Sequence, residues 1–401
     1  MMAKEVVIVD AVRTPFGRYN GNLRNIRPDD LGAIVIKALL ERNSALDPLD
    51  IEEVVIGNAN QAGEDNRNIA RMSALLAGLP VEVAGTTVNR LCGSGLDAVN
   101  YAARAILAGE GDVYIAGGIE SMSRAPFVMA KPQVEFPRGN MELHDTTIGW
   151  RFINHQLKSM YGVDSMPETA ENVAKEYMVS REEQDSFAFE SQQKAKMAIE
   201  NRLFEQEIIP VQYTDRKGKE VIIAADEHPR PETTLEKLSQ LKPILPNGTV
   251  TAGNASGIND GASVLLIMSA EKARKLRLKP LGKYIVSAVA GVNPSIMGVG
   301  PVFSTRKALQ RAGLTIDELD VIELNEAFAS QSLACIKLLN LNTKIVNVNG
   351  GAIAFGHPLG ASGARILTTL LYEMKRRKAK YGLATMCIGV GQGISTIVEG
   401  V

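Results

Sequence analysis

Cys92 stands where a cysteine can act as a nucleophile. It follows the strand-like TTVNRL and precedes Gly-Ser-Gly, which opens an apolar helix rich in small residues. Unpaired backbone N–H groups and the positive end of a helix favour a thiolate at such a position. The flanking glycines would also let a ligand approach the backbone closely. The alternative is an inert core cysteine, which is what most free cysteines are.

Two further reactive side chains, His357 and Cys387, lie in glycine-rich segments near the end of the chain. His357 is part of GGAIAFGHPLGASG, a predicted loop between the strand-like KIVNVN and a helix, where an imidazole could face a cleft as a general base. Taken alone, a histidine in a turn is more often one whose hydrogen bonds are satisfied by the backbone. Cys387 ends a strand-like run before Ile-Gly-Val-Gly, so its thiol is expected at the lip of a sheet. The three side chains together indicate acid–base and nucleophilic chemistry.

The remaining cysteine and histidines follow no metal-binding pattern. A zinc site needs three or four ligands at spacings of the CxxC or HxxxH type, which the sequence lacks. Cys335 lies within the helix-like ASQSLACIKLL and is expected in a core, while His144, His155 and His228 have polar neighbours and are expected to be solvated or capping. No phosphate-cradling GK[ST] loop and no GxGxxG after the first strand is found, which disfavours nucleotide hydrolysis and NAD chemistry. We expect no metal and no cofactor.

The elements that must position these residues occur twice in the chain. Strand-like IEEVVIGNANQAG matches LDVIELNEAFAS, so that Asn58 and Asn325 coincide, and the turn and helix after Cys92 match those from Gly360. Each half then continues with a strand, DVYIAGG or GLATMCIGVG, and closes with ASVLLIMS or ISTIVEG. Such self-similarity indicates a duplicated unit. Strands alternating with helices predict an α/β fold of two layers of sheet, buried on both faces, with helices pressed between them.

Corresponding loops of two equivalent halves should meet near the axis that relates the halves. The ligand sites of α/β sheets lie at the carboxyl ends of strands, where the loops lead into helices. Cys92 of the first half is therefore expected to approach His357, Cys387 and Asn325 of the second.

An insertion separates the last strand of the first half from the rest of that half. The offset between matching segments is roughly 270 residues at first and falls to about 130 at the closing strands, so the first half holds an extra segment. We predict a first half of residues 1–119 and 251–272, an inserted loop domain of 120–250, and a second half of 273–401.

The amino-acid composition limits which partners and which cellular location are expected. The chain of 401 residues is 45% hydrophobic, and 44 Lys and Arg nearly balance 45 Asp and Glu. Without a basic block, nucleic acid is an unexpected partner. No apolar run is long enough for a membrane span, and the first residues lack the features of a secretory signal. Three cysteines, an odd number, argue for a reducing compartment, and the cytoplasm is the expected location.

Set side by side, these segments resemble the thiolase family along essentially the whole chain. The family's motifs occur in its order and spacing as RTPFG, NRLCGSGLDAV, AGGIESMS, VTAGNASGINDGA, ELNEAFASQ, GGAIAFGHPLGASGAR and MCIGVGQG. GNANQAGEDNRNIARM, DTTIGWRFIN and YGVDSMPETAENVA further resemble the branch of 3-oxoadipyl-CoA thiolases and bacterial acetyl-CoA acetyltransferases. The resemblance implies a duplicated thiolase core of two mixed sheets, layered αβαβα, with an inserted loop domain.

The resemblance also implies roles for individual residues. Cys92 would be the acylated nucleophile of a ping-pong acyltransferase, His357 its base, and Cys387 the acid/base at the substrate α-carbon. A water held by Asn325 would form one oxyanion hole with the His357 ring, and the N–H groups of Cys92 and Gly389 would form the other. Acyl-CoA and CoA would be the substrates of a homodimer or homotetramer, with CoA contacts at Met166, Arg230, Leu245, Ala252, Ser256, Ala327 and Phe328.

The chain departs from the family's pattern at a few positions, and these bear on acyl specificity and CoA contacts. Val390 stands where many members have Gly, and Ser165–Pro167 where tetrameric biosynthetic members have His-Met-Gly. Leu245 and Lys237 replace a common aromatic and serine. The acyl substrate, whether acetoacetyl-CoA, a longer 3-ketoacyl-CoA or 3-oxoadipyl-CoA, stays open. A dicarboxylate would need a cation near its distal end, and the sequence places none.

Three other functions compete with this interpretation. Ketoacyl synthases share the fold but lack the cysteine of CIGVGQG and usually carry two histidines, so Cys387 argues against them. Sterol-carrier-type thiolases replace NEAF with a motif that bears another His, whereas this chain has Asn325-Glu326-Ala327-Phe328. A non-catalytic acyl-CoA-binding protein would be expected to have lost one of the three reactive side chains.

Overall fold

The computed structural model describes residues 4–214 and 217–401. The first half begins with a strand that is buried along its whole length, as its apolar sequence VVIVDAVR requires. Its elements are β1 (Val6–Arg13), β2 (Gly17–Arg18), α1 (Pro28–Arg42), β3 (Glu53–Gly57), α2 (Ile69–Leu76), β4 (Ala84–Val88), α3 (Ser94–Ala108) and β5 (Val113–Ser121).

The segment after β5 contains short strands and amphipathic helices. Two of its helices start with capping boxes, in which Ser165 and Ser180 exchange hydrogen bonds with Glu168 and Glu183. Its elements are β6 (Phe127–Val128), β7 (His144–Asp145), α4 (His155–Tyr161), α5 (Met166–Glu176), α6 (Arg181–Glu200), β8 (Val211–Thr214), β9 (Glu220–Ile223) and α7 (Leu235–Ser239).

The chain then returns to the central sheet and builds the second half. β10 (Asn259–Ser269) and α8 (Ala270–Leu276) close the first half. The second half consists of β11 (Gly282–Gly291), α9 (Gly300–Ala312), β12 (Val321–Leu324), α10 (Ala329–Leu339), α11 (Ala352–Phe355), α12 (Leu359–Arg377), β13 (Tyr381–Ile388) and β14 (Gln392–Glu399). The strands and helices that were matched between the halves are all present. Cys335 lies in α10 and is fully buried, as predicted.

The strand order displays the duplication. The main sheet runs β12-β13-β14-β11-β1-β10-β5-β3-β4, and β2 pairs with β10. From the centre of the sheet outward, the first half runs β1-β10-β5-β3 and the second half runs β11-β14-β13-β12. Strands at the same position in these two orders correspond to each other. The two sheets meet through a short antiparallel ladder in which Val6, Val7 and Ile8 face Tyr284, Lys283 and Gly282. The predicted fold class is confirmed, and the two sheets form one continuous hydrogen-bonded sheet.

Helices α3 and α12 form the layer between the two sheets. Their apolar residues share one core with β1, β13 and β14, whereas α1 and α2 cover the outer face of the first half and α9 and α10 that of the second. The two central helices approach so closely that a Cβ atom on Gly95 would lie 2.5 Å from the carbonyl oxygen of Gly360. Only glycine fits at this position, because no real Cβ contact is that short.

One predicted strand is absent. KIVNVN forms a 3-10 turn at Thr343–Ile345 and a single bridge between Val346 and Ile322. The Asn347 side chain accepts a hydrogen bond from the Leu324 N–H and donates one to the Leu324 carbonyl, both at 2.8 Å. A side-chain amide thus takes the place of a backbone ladder, which alternation of apolar residues does not reveal.

Candidate active site

Cys92 occupies a tight turn between β4 and α3. Leu91, directly before it, has φ +48°, a conformation that non-glycine residues adopt at a cost and that is often found at functional sites. The Ser94 hydroxyl holds this turn by donating to the Leu91 carbonyl at 2.6 Å and accepting from the Arg90 N–H at 2.8 Å. The turn presents Cys92, whose side chain is partly exposed, to a cavity of ≈ 220 Å³. We call this the Cys92 cavity; it is lined by Leu91, Cys92, Met166, Leu359, Gly389 and residues 146–151, among others.

Two backbone amides surround the Cys92 sulfur. The N–H groups of Gly389 and of Cys92 itself both hydrogen-bond to the sulfur. Burial nevertheless raises the pKa of Cys92 to about 11, and the charge of Glu120 acts in the same direction. The amides and the helix start therefore do not produce the thiolate that the sequence suggested, and the resting side chain is a neutral thiol.

His357 is held in one tautomer by the start of α12. Its Nδ1 lies 2.6 Å from the Ser362 hydroxyl, which donates its own proton to the Pro358 carbonyl at 2.9 Å. Because that hydroxyl proton is engaged, Nδ1 must carry the hydrogen and Nε2 keeps a lone pair. Burial, with the Arg365 cation, lowers the pKa of His357 to about 3, so the ring is neutral.

Asn325 lies beside the free nitrogen of His357. It directly follows β12 and is 1% exposed, and its Nδ2 lies 3.5 Å from His357 Nε2, a long contact. The Asn325 Oδ1 has no hydrogen-bond partner among the described residues. Its counterpart Asn58 follows β3 in the same way and donates to the Ile119 carbonyl at 3.0 Å. The duplication thus places one buried amide at the carboxyl end of each equivalent strand.

Cys387 lies deeper than the sequence indicated. It falls within β13, is 1% exposed and packs with Met166, Ala327 and Phe328, so the expectation of a thiol at the lip of the sheet is wrong. The segment Gly389–Gly391 turns back at once into β14, which pairs antiparallel with β13 in the sheet, while the cluster of apolar side chains covers the Cys387 thiol. Burial, followed by interaction with Cys92 and Cys335, raises the pKa of Cys387 well above its usual value.

The predicted CoA contacts fall into three places. Arg230 and Ala252 line a second cavity of ≈ 280 Å³ together with Gln192, His228 and Lys237. Met166 lines the Cys92 cavity and packs with Ala327 and Phe328, and the Ser256 N–H donates to the Ala327 carbonyl at 2.9 Å. Leu245 lines neither cavity; its carbonyl accepts from Gly248 at 3.0 Å in a turn.

Three buried residues around the site were not predicted from the sequence. Glu120, at the end of β5, accepts hydrogen bonds from the N–H groups of Ala59, Asn60 and Gly360 and so ties the two halves together; burial raises its pKa to about 7. The Asn259 Oδ1 accepts from the His357 N–H at 3.0 Å, and Ser362 sets the tautomer. An acidic residue ending the apolar run VYIAGGIES was the one available signal.

His228 was expected to be solvated or capping. Its Nδ1 instead lies 3.4 Å from Asn259 Nδ2, and burial lowers the pKa of His228 to about 4. The histidine is therefore neutral and faces the wall between the second cavity and the His357 loop. Asn259 contacts both histidines, one through each end of its amide.

Residues 4–214 and 217–401 contain neither a cluster of metal-binding side chains nor a helix suited to span a membrane. Within these ranges, no three His, Cys, Asp or Glu side chains are grouped so as to hold a metal ion. None of the helices in the same ranges combines the length and apolar character needed to cross a bilayer.

Sequence comparison covers nearly all of the chain. The family model described as "Thiolase, N-terminal domain" matches residues 6–271, and "Thiolase, C-terminal domain" matches residues 278–400. The chain is 58% identical to "Beta-ketoadipyl-CoA thiolase" of Acinetobacter baylyi, with 99% of each chain covered. It is 56% identical to "3-oxoadipyl-CoA/3-oxo-5,6-dehydrosuberyl-CoA thiolase" of Escherichia coli, again over 99% of each chain. "Acetyl-CoA acetyltransferase" of Chromobacterium violaceum is 50% identical, over 98% of this chain and 99% of the relative.

Solved structures agree with the sequence matches. The Bacillus anthracis acetyl-CoA acetyltransferase superposes with a TM-score of 0.93 at 40% identity, covering 100% of this chain and 99% of the other. Human mitochondrial 3-ketoacyl-CoA thiolase superposes with a TM-score of 0.93 at 39% identity, covering 100% of both chains.

Proposed function

Because this chain belongs to the thiolase family, we propose that Cys92 is the acylated residue of its acyltransferase reaction, the CoA-dependent cleavage of 3-ketoacyl-CoA. The observation that carries this proposal is the position of the Cys92 sulfur, which faces a cavity while two backbone N–H groups point at it. Donors fixed around a reacting atom stabilise charge that develops during reaction. Family membership makes acyl-CoA and CoA the substrates; the roles of individual residues are our proposal.

In the first half-reaction, Cys92 attacks the 3-keto carbon and its thiol proton passes to His357. The free lone pair on His357 Nε2 supports this role, since the Nδ1 hydrogen is engaged with Ser362. Both groups are neutral at rest, so proton transfer accompanies the attack instead of preceding it. Collapse of the adduct breaks the bond between the α- and β-carbons and leaves an acyl group on the Cys92 sulfur.

The departing fragment is the enolate of acetyl-CoA, which must receive a proton at its α-carbon. We assign the proton to Cys387, whose raised pKa keeps it in the donor form, and its interaction with Cys92 supports their proximity. The unpartnered Asn325 Oδ1 supports a water there, since buried acceptors are usually satisfied, and this water with the His357 ring would stabilise the enolate oxygen.

In the second half-reaction, a new CoA thiol attacks the acyl-enzyme. The CoA thiol would give its proton to the Cys387 thiolate, and the tetrahedral oxygen would accept from the N–H groups of Cys92 and Gly389. Collapse of this adduct would break the bond to the Cys92 sulfur, which regains its proton from His357, and release the acyl-CoA. The CoA chain would pass Met166, Ser256, Ala327 and Phe328, with Arg230 and Ala252 at the second cavity. Leu245 lies outside both cavities and keeps only the family resemblance as support.

For the acyl substrate we propose 3-oxoadipyl-CoA. Several relatives more than half identical over nearly the whole chain carry beta-ketoadipyl-CoA or 3-oxoadipyl-CoA in their names. The Cys92 cavity of ≈ 220 Å³ is smaller than the pockets of roughly 300–1,000 Å³ that hold larger ligands, which favours a short acyl group. Acetoacetyl-CoA is the second candidate, because an acetyl-CoA acetyltransferase is 50% identical.

Mass spectrometry of the protein mixed with 3-oxoadipyl-CoA in the absence of CoA tests the nucleophile. We expect a covalent succinyl adduct on the peptide that contains Cys92, and its loss in Cys92→Ser. Cys335→Ser is the matched control, because Cys335 is buried in α10 and should leave labelling intact. Normal acylation of Cys92→Ser would refute the assignment, and turnover of a panel of 3-ketoacyl-CoA thioesters would rank the substrates.

We also propose that the enzyme is a homodimer or homotetramer in the cytoplasm. Strand β4 ends the sheet and leaves one edge unpaired, which proteins usually cover. Several large apolar side chains of residues 120–250 are exposed, among them Phe127, Phe136, Phe152 and Tyr161, and the three cysteines are free. Light scattering coupled to size exclusion tests the assembly, and a monomer would refute it.

A further inference from the structure

The wall of the Cys92 cavity formed by residues 146–151 contains several polar side chains whose hydrogen bonds are already made. The Thr146 hydroxyl donates to the Pro126 carbonyl at 2.6 Å, the Thr147 hydroxyl donates to Asp145 at 2.7 Å, and the Trp150 indole N–H donates to the Asp164 carbonyl at 3.2 Å. These groups shape the cavity and have little capacity left for a charged ligand.

The acidic groups of the same wall are engaged as well. Glu120 accepts from three backbone N–H groups, and the Asp164 carboxylate accepts from Asn172 at 2.9 Å. Neither forms an ion pair with a cation of the cavity wall in the described part of the chain. Within the described residues, a cation of this wall is therefore not held in an ion pair by either carboxylate.

Arg151 supplies such a charge. It is the one Lys or Arg among the described residues that line the Cys92 cavity, and its side chain is partly buried. Throughout residues 4–214 and 217–401, no side chain or carbonyl forms a hydrogen bond or ion pair with its guanidinium. A partly buried arginine whose guanidinium has no partner is unusual, since charges removed from water are normally paired.

The backbone around Arg151 is shaped to hold it at the cavity. Gly149 has φ +93° and Phe152 has φ +52°, so a left-handed residue lies on each side of the Trp150–Arg151 pair. The indole bond of Trp150 to the Asp164 carbonyl fastens this turn to the segment before α5. Arg151 is therefore presented by a fixed turn and not by a free surface loop.

We propose that Arg151 binds the terminal carboxylate of a 3-oxo-dicarboxylyl-CoA substrate and makes the enzyme select acyl groups that carry this charge. The planar guanidinium matches a carboxylate with two parallel hydrogen bonds, a geometry that a methyl-terminated acyl chain cannot satisfy. This inference rests on the proposed thiolase reaction at Cys92 and supplies the cation that the sequence alone did not place.

The pairing would persist through both half-reactions. When Cys92 attacks the keto carbon of 3-oxoadipyl-CoA, the carbon–carbon bond breaks and acetyl-CoA leaves with a proton at its former α-carbon. The dicarboxylic fragment stays as a succinyl thioester on the Cys92 sulfur, with its carboxylate still in the cavity. Arg151 thus contacts the part of the substrate that is common to the substrate, the acyl-enzyme and the succinyl-CoA product.

The test compares two substrates of equal chain length, 3-oxoadipyl-CoA and 3-oxohexanoyl-CoA, which differ by a carboxylate in place of a methyl group. Replacing Arg151 by Met should lower kcat/KM for 3-oxoadipyl-CoA by about tenfold to hundredfold, because a hydrogen-bonded charge pair is lost. Activity on 3-oxohexanoyl-CoA should stay within about threefold or rise. Arg151→Lys should fall between the two, since it keeps the charge but not the paired geometry.

Lys158→Met is the matched control, because Lys158 is an exposed cation of α4 outside the cavity lining and its removal changes the net charge equally. We expect it to leave both substrates unaffected. A wild-type preference for the carboxylate that survives in Arg151→Met would overturn the role of Arg151 while leaving the proposed substrate intact. A wild-type enzyme that prefers 3-oxohexanoyl-CoA would overturn both, and one that forms no acyl-Cys92 with either substrate would overturn the mechanism itself.

Discussion

At the scale of single residues, the site keeps its nucleophile and its base neutral until substrate arrives. Burial raises the pKa of Cys92 and lowers the pKa of His357. Both side chains are therefore neutral at rest and do not form an ion pair. Ser362 holds the His357 ring at Nδ1, and Asn259 holds the His357 backbone N–H. Reactivity therefore depends on substrate geometry more than on a preformed thiolate, which protects the thiol from unselective alkylation.

This neutrality predicts a pH dependence for alkylation of the free enzyme. With the pKa of Cys92 at about 11, the reactive thiolate is a minor species at neutral pH and increases about tenfold per pH unit. Iodoacetamide should modify Cys92 at a rate that rises steadily between about pH 7 and pH 9, as measured by peptide mass spectrometry. Cys92→Ser provides the background from Cys335 and Cys387. A rate that levels off below neutral pH would instead indicate a thiolate paired with imidazolium.

At the scale of elements, the contact between α3 and α12 sets the position of the nucleophile. Gly95 lies in the first turn of α3, just after Cys92, and touches the first turn of α12, just after His357. The two helix starts therefore fix the distance between the two halves of the site through backbone contact. Small residues are required here for catalytic geometry as well as for packing.

A methyl group at this contact should be costly. In Gly95→Ala the new Cβ would lie 2.5 Å from the Gly360 oxygen and 3.0 Å from the Ala364 nitrogen, so the helices must separate. We expect a loss of about 1–3 kcal/mol in the free energy of unfolding, measured by urea titration, and a lower kcat. Gly291→Ala is the control, because its nearest neighbour would be 3.9 Å away. Equal stability of the two variants would contradict the proposed role of this contact.

The elements were largely predictable from the sequence, whereas their burial and charge states were not. The spacing of apolar residues, the glycine-rich turns and the internal repeat identified β3, β5, α3, α12, β13 and the elements that match them in the other half. These signals are local in the sequence. KIVNVN failed as a strand because Asn347 replaces the ladder, and Cys387 proved buried because distant apolar side chains such as Met166 and Phe328 pack over it. The positions of Glu120 and Arg151 depend on contacts between distant segments, which no local pattern encodes.

At the scale of the whole molecule, a buried ion cluster ties the segment between β5 and β10 to the central sheet. Arg13 of β1 is 1% exposed and donates to Glu207 at 2.6 Å and to both oxygens of Asp226 at 2.7 and 2.9 Å. These two carboxylates lie far along the chain from β1. The cluster therefore fixes the inserted segment, which carries Met166 and Arg151, against the core that carries Cys92.

Removing this cation should destabilise the protein strongly. Arg13→Met leaves two carboxylates buried without their partner, and we expect a loss of about 3–5 kcal/mol in the free energy of unfolding. Lys4→Met is the control, because the Lys4–Asp112 pair at 3.0 Å is exposed and should contribute little. Urea titration of both variants followed by circular dichroism measures the difference. A loss no larger than that of Lys4→Met would show that the cluster does not hold the insertion.

The division of the site between two halves has a consequence for biosynthesis. The nucleophile is encoded before residue 100, while its base, its donor amide and its proton donor all follow residue 320. A nascent chain emerging from the ribosome thus carries an unassisted thiol until the residues of the second half have been made. Contacts this distant in sequence form late and slowly. Competence to accept an acyl group arises only after the segment through residue 387 has been made and folded, so catalytic turnover reports that both halves are in place.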